Sequence, residues 1–140
     1  MSEQLIETSS EQETSDAGRA LAAYLKPGDV VLLSGSLGAG KTAFVRGLAE
    51  GLGASGSDVS SPTFTILQEY QGRLRLQHAD LYRLAPKEVD DLGLEDLIED
   101  GVLAVEWPDR WLRAPREAIA VSIEAAGGDR RLIRYSYSTR

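Results

Sequence analysis

A chain of 140 residues is long enough for one domain, and such a domain buries roughly 70% of its unfolded-chain surface. Its 15 basic and 22 acidic residues leave a formal net charge of −7, which argues against broad non-specific nucleic-acid binding. The lack of cysteine excludes disulfides, thiolate metal sites and thiol nucleophiles, and no run reaches the ~20 apolar residues of a membrane span, so the chain reads as cytoplasmic.

The first eight residues predict a short edge strand around Leu5 and Ile6. Ser9-Ser10-Glu11-Gln12-Glu13 then predicts a helix start, with Ser9 or Ser10 as cap and acids in the first turn. Ala17, Leu21, Ala22 and Leu25 form its apolar stripe, and Lys26-Pro27-Gly28-Asp29 stops it.

The apolar run Val30–Ser34 reads as a strand, and it leads into Gly35-Ser36-Leu37-Gly38-Ala39-Gly40-Lys41-Thr42. This is a Gly-x-x-x-x-Gly-Lys-Thr phosphate-binding loop, followed by the helical pattern Phe44, Val45, Leu48, Leu52. Its glycines let backbone N–H groups turn inward onto phosphate oxygens, and the helix adds its unpaired N-terminal donors, Ala43 included. Lys41 supplies a charge for the β- and γ-phosphates and the Thr42 hydroxyl ligates Mg²⁺. The expected ligand is a nucleoside triphosphate. A guanine site needs an Asn-Lys-x-Asp element, and the chain has no asparagine, so ATP is favoured over GTP.

After a loop at 54–62, residues 63–70 and 73–81 both read as strands, joined through Gln71-Gly72 as a tight two-residue hairpin. Two antiparallel strands directly after the loop's helix depart from the usual β-α-β continuation. Residues 86–100 predict two short acidic helices broken near Gly93, and Val102–Val105 a strand buried on both faces. Residues 118–124 and 132–137 predict a closing antiparallel pair across Gly127-Gly128-Asp129. Together these describe an α/β fold: one P-loop NTPase-like domain over 1–140, with a mixed sheet, an antiparallel hairpin insertion and flanking helices.

Two acids are candidates to serve the metal and the attacking water. Glu106 ends an apolar strand at the edge where ligands of open α/β sheets sit, and is taken as the direct or water-mediated metal ligand, with a surface ion pair as the alternative. Asp80, on the same strand face as His78, is taken as the water-orienting acid, with a turn-capping carboxylate as the alternative. His78 reads as a proton acceptor or γ-phosphate sensor, or as a hydrogen-bonded structural residue. Ser61-Pro62-Thr63-Phe64 reads as a switch-like hydroxyl loop, or as an ordinary turn on Pro62. Trp107 is placed at the phosphate end of the site, at a docking surface, or in the core. The arginines at 110, 113 and 116 and at 130, 131 and 134 read as solvated surface.

With these elements in order the chain resembles the TsaE (YjeE) family, small bacterial P-loop ATPases of tRNA threonylcarbamoyladenosine (t6A) biosynthesis. The resemblance runs through Glu11–Gly18, Leu37–Thr42, Ser61–Phe64, His78-Ala79-Asp80-Leu81-Tyr82-Arg83 and Val105-Glu106-Trp107-Pro108. It implies ATP or ADP with Mg²⁺ as ligands, slow hydrolysis, and docking on a TsaB–TsaD assembly, with tRNA met only indirectly. By residue it implies Lys41 on phosphates, Thr42 and Glu106 on the metal, Asp80 as second acid and Trp107 as a sensitive aromatic. It also implies Glu11 and Thr14 beside the adenine and an arginine of the Arg130/Arg131 pair near the nucleotide. Ser36 and Ala43 replace residues that are commonly acidic and threonine in the family; the first change removes one candidate for orienting water. A small-molecule kinase with Arg110–Arg116 as its lid, and a non-hydrolysing ATP sensor, are the rival readings.

Overall fold

The computed structural model describes residues 2–35, 40–54, 67–98 and 101–137. Strand β1 (Ser2–Thr8) leads into helix α1 (Glu11–Ala22), followed by β2 (Val30–Ser34) and α2 (Lys41–Gly51). Next come β3 (Leu67–Tyr70), β4 (Arg75–Asp80), a short helix α3 (Pro86–Asp90) and a 3₁₀ turn (Leu94–Leu97). β5 (Gly101–Glu106), a second 3₁₀ turn (Pro108–Arg110), β6 (Ile119–Ala125) and β7 (Arg131–Tyr137) complete the order.

Seven strands form one mixed sheet in the order β1-β7-β6-β2-β5-β4-β3. β2 lies between β5 and β6 and is parallel to both, and β4 is parallel to β5. β7 is antiparallel to both β1 and β6, so β1 runs with the parallel set; only β7 and β3 run against it. Five strands therefore end at one edge of the sheet, and every candidate functional segment of the described chain starts there. The predicted hairpin insertion is present as β3–β4, but its second strand belongs to the parallel core.

The hairpin is not joined by the two-residue turn that Gln71-Gly72 suggested. Tyr70 pairs with Leu76, and residues 71–74 make a wider loop that folds onto the end of α2. The Arg73 N–H donates to the Leu52 carbonyl at 2.8 Å, and a Cβ on Gly72 would meet that same oxygen at 2.3 Å. Capping of α2 wins over a tight strand connection here.

One face of the sheet carries α1 and α2 over a core that includes Leu21, Phe44, Leu48, Leu76, Ala104 and Ile133. The other carries α3 and the 3₁₀ turns over Leu81, Val89, Leu94, Leu103, Val105 and Trp111. β5 is buried along its whole length, as its apolar run predicted.

Helix α1 starts as the sequence indicates. Ser10 Oγ accepts from the Glu13 N–H at 3.1 Å, while the Glu13 carboxylate accepts from the Ser9 N–H at 2.7 Å. The two helices cross at backbone distance. A Cβ on Gly47 would lie 1.7 Å from the Ser15 carbonyl oxygen, and one on Gly18 would lie 2.2 Å from that of Phe44. A mid-helix glycine costs about 1 kcal/mol relative to alanine, and the close crossing is what makes it necessary.

Candidate functional site

At the common strand edge a cavity of about 280 Å³ is lined by Glu11, Thr14, Gly40, Lys41, Thr42, Ala43, Asp80, Glu106, Asp129 and Arg131. Five separate parts of the chain build it. α1 contributes its first turn, α2 its N-terminus, and β4, β5 and the β6–β7 turn their ends. Of the residues singled out from sequence, all those on the described walls converge here except Gly35, His78 and Trp107, which stand just behind them. Ser36, Leu37, Gly38 and Ala39 of the loop, and Ser61, Pro62, Thr63 and Phe64, lie outside the described residues.

Helix α2 begins at Gly40, whose φ of 101° is open to glycine and strained for other residues. Gly40 has no side chain to cap the helix, so its first N–H groups face the cavity with the positive end of the dipole behind them. Such an end is a ready anion site. Lys41, only 5% exposed, donates from Nζ to the Gly35 carbonyl at 2.7 Å. Its ammonium also lies 4.5 Å from the centre of the Trp107 ring, a cation–π contact.

Trp107 is the one non-glycine residue among those described with positive φ, at 61°. A left-handed backbone costs an L-residue about 1–2 kcal/mol, and here it turns the indole over Lys41 and against Tyr82, with ring centres 5.0 Å apart. Trp107 thus stands at the Lys41 side of the cavity.

β4 and β5 place their acids side by side, with Asp80 paired to Glu106 in register. Asp80 Oδ1 accepts from the Tyr82 N–H at 3.0 Å, so it caps its turn and lines the cavity at once. Glu106 is buried, and its Oε2 lies 2.6 Å from Nε2 of the fully buried His78. It is not a surface carboxylate. His78 does not line the cavity, which removes the direct proton-acceptor and phosphate-sensor roles and leaves a contact through Glu106.

Burial lowers the Lys41 pKa from its ordinary value, against the opposing pull of Glu106 and Asp80. Burial also raises that of Asp80; Glu106 adds to the rise, while the Tyr82 N–H, His78 and Lys41 oppose it. In both central groups burial disfavours the charged form.

Glu11, Asp80, Glu106 and Asp129 set four carboxylates against Lys41 and Arg131 around the cavity. A polyphosphate would meet net repulsion there without a divalent cation. Oxygen donors from Thr42, Asp80 and Glu106 fit Mg²⁺, which takes one or two carboxylates and completes its shell with water and phosphate. No group of three or more acidic, histidine or cysteine side chains able to cage a metal occurs among the described residues.

Sequence reasoning missed Asp129. The signal is the direction of β6: because it runs parallel to β2, its C-terminal turn reaches the P-loop edge. Arg110, read as solvated surface, instead donates to the carbonyls of Tyr82 and Leu84 at 3.0 and 2.6 Å and holds the turn after Asp80.

The family model described as "Threonylcarbamoyl adenosine biosynthesis protein TsaE" matches residues 8–133. The chain is 45% identical over 128 residues to the TsaE protein of Bacillus subtilis, covering 89% of this chain and 80% of that one. It is 42% identical over 127 residues to the Treponema pallidum TsaE, with 88% and 93% covered. The crystal structure of Bacillus subtilis YdiB superposes with a TM-score of 0.80 at 37% identity, over 99% of this chain and 87% of that one. By family model, by curated relatives and by structure, the chain belongs to the TsaE family of tRNA threonylcarbamoyladenosine biosynthesis proteins.

Proposed function

We propose that the chain is a Mg²⁺-dependent ATPase that serves t6A modification of the adenosine next to the anticodon as the nucleotide-driven partner of a cytoplasmic TsaB–TsaD complex. The observation that carries this reading is the uncapped α2 N-terminus with buried Lys41 facing two strand-end acids across one cavity. The α2 amides and Lys41 bind the phosphates, with Gly35–Ala43 as the cradle. Glu11, Thr14 and Arg131 line the same cavity, with Thr14 and Arg131 beside Gly40, and are the residues taken to meet the nucleoside. Thr42 and Glu106 would hold Mg²⁺, with Asp80 behind them, and the bound ion would neutralise charge on the β- and γ-phosphates. Asp80 and Glu106 are the groups placed to orient a water, and the buried Lys41 stabilises charge that develops on the transferred phosphoryl group.

The kinase reading loses one arginine of its Arg110–Arg116 lid, because Arg110 is committed to backbone carbonyls and does not line the cavity. Calorimetry with ATP and ADP, with and without Mg²⁺, tests the site. Hydrolysis measured alone and with purified TsaB and TsaD tests the role. The expected outcome is weak turnover alone and clear stimulation by the partners. Thr42→Ala is expected to lose Mg²⁺-dependent ATP binding while keeping Mg²⁺-free ADP binding. Turnover indifferent to the partners, or phosphorylation of a small molecule, would reject the assignment.

A further inference from the structure

His78 is the single histidine of the chain, and its side chain is completely buried beneath the cavity without lining it. Its Nε2 lies 2.6 Å from Glu106 Oε2, and its Nδ1 is buried without a hydrogen-bond partner. A carboxylate accepts, so Nε2 carries a hydrogen and donates it to Glu106, while Nδ1 has no partner. A leucine would fill much of the same space on β4 and leave no orphaned nitrogen, so packing does not explain the imidazole. What the ring adds is one directed donor to one carboxylate oxygen.

The strand register shows why that donor matters. His78 pairs with Ala104 and Asp80 with Glu106, so the imidazole sits one strand repeat below the acid, on the same face of the sheet. Glu106 also faces the Lys41 ammonium, whose charge acts on it across the cavity wall. A glutamate with three free torsions would collapse onto that cation. Instead Glu106 pairs with His78, and Lys41 bonds the Gly35 carbonyl. We propose that His78 is a positioning residue: it anchors Glu106 Oε2 so that the other carboxylate oxygen is presented to the cation that accompanies the nucleotide. This deepens, and rests on, the reading of Glu106 as the cation-facing acid. Partners of this kind behind a ligating carboxylate fix its orientation and basicity.

Nitrogen-15 spectra of the full chain are unambiguous because there is only one imidazole. They should show a protonated Nε2; an Nε2 without its proton would overturn the proposal. Calorimetry should then compare the wild type with His78→Leu, His78→Gln and Glu106→Ala. The ligands are a non-hydrolysable ATP analogue with Mg²⁺, and ADP without it. His78→Leu is expected to weaken Mg²⁺-dependent binding by about 10–100-fold while leaving Mg²⁺-free ADP binding in place. His78→Gln offers an amide N–H to the same oxygen and should recover most of the loss. Equal affinities for the leucine variant and the wild type, or for the two His78 variants, would overturn the proposal. If Glu106→Ala also keeps its Mg²⁺ dependence, the reading of Glu106 itself fails; if Glu106→Ala loses it and His78→Leu does not, only the role of His78 fails. Should His78→Leu not fold, the Nε2 proton and the His78→Gln affinity decide.

Discussion

The two walls of the cavity are held in place by different physics. The helix wall, with Glu11 and Thr14 on α1 and Lys41 and Thr42 on α2, is fixed by steric contact: α1 and α2 meet at glycines 18 and 47, where backbone touches backbone. The strand wall, with Asp80 and Glu106, is fixed by polar bonds to the Tyr82 N–H and the His78 ring. A steric wall is rigid and intolerant of one added methyl. A polar wall is softer and depends on protonation and on which ions are present. Such a division would let the proposed phosphate cradle keep its shape while the acids respond to a cation.

The most damaging way to break the helix wall is Gly47→Ala. Its Cβ would sit 1.7 Å from the Ser15 carbonyl oxygen, so the helices must part. A loss of about 3 kcal/mol or more is expected, at the upper end of overpacking, and denaturant melts would read it. Near-wild-type stability would show that the helices slide freely, and the contrast between the walls would fall.

Lys41→Ala leaves both walls standing and removes the ammonium between them. ATP affinity should drop by roughly 1.5–3 kcal/mol, the scale of a hydrogen bond to a charged group. Calorimetry measures it, and an unchanged affinity would place the phosphates elsewhere.

Thr8→Val probes a buried polar bond of the helix wall, the hydroxyl pair of Thr8 and Thr14 at 2.8 Å. Leaving the Thr14 hydroxyl alone should cost about 1–2 kcal/mol of stability, and a second change, Thr14→Val, should return part of it. Additive losses in that double-variant cycle would contradict the pairing.

The smallest effect sharpens the description of the strand wall. Asp80 has a raised folded-state pKa, caused first by burial, so the fold binds its proton more tightly than the unfolded chain does. Its stabilising contribution is present below the ordinary carboxylate value and is lost as pH rises through the folded one. Asp80→Asn should erase that slope in the unliganded protein and leave it slightly more stable than wild type at neutral pH. Parallel pH curves for the two proteins would reject the electrostatic account.

Much of this was legible in the chain itself. Ser10 with Glu13, the apolar run of β2, and Gly40-Lys41-Thr42 each carry their local structure in side-chain chemistry, and the structure places them as that chemistry requires. Glu106 and Asp80 could be found because an acid at the end of an apolar strand is costly without a purpose. Relations between strands were not legible. Gln71-Gly72 looks like a tight turn until the end of α2 is seen to need the Arg73 N–H, and Asp129 reaches the cavity only because β6 runs parallel to β2. The bond from His78 to Glu106 likewise depends on the β4–β5 register, which no local pattern encodes.

The strained backbone at Trp107 has one more consequence. Its indole rests against the ammonium that the incoming phosphates would claim, so loading the site changes the electric field at a fluorophore. Trp111 is buried in the core cluster against which Trp107 packs, with its ring nitrogen donating to Glu95, and does not line the cavity. Trp107 would thus serve as an optical gauge of occupancy at the proposed site, and a simple emission titration would read it.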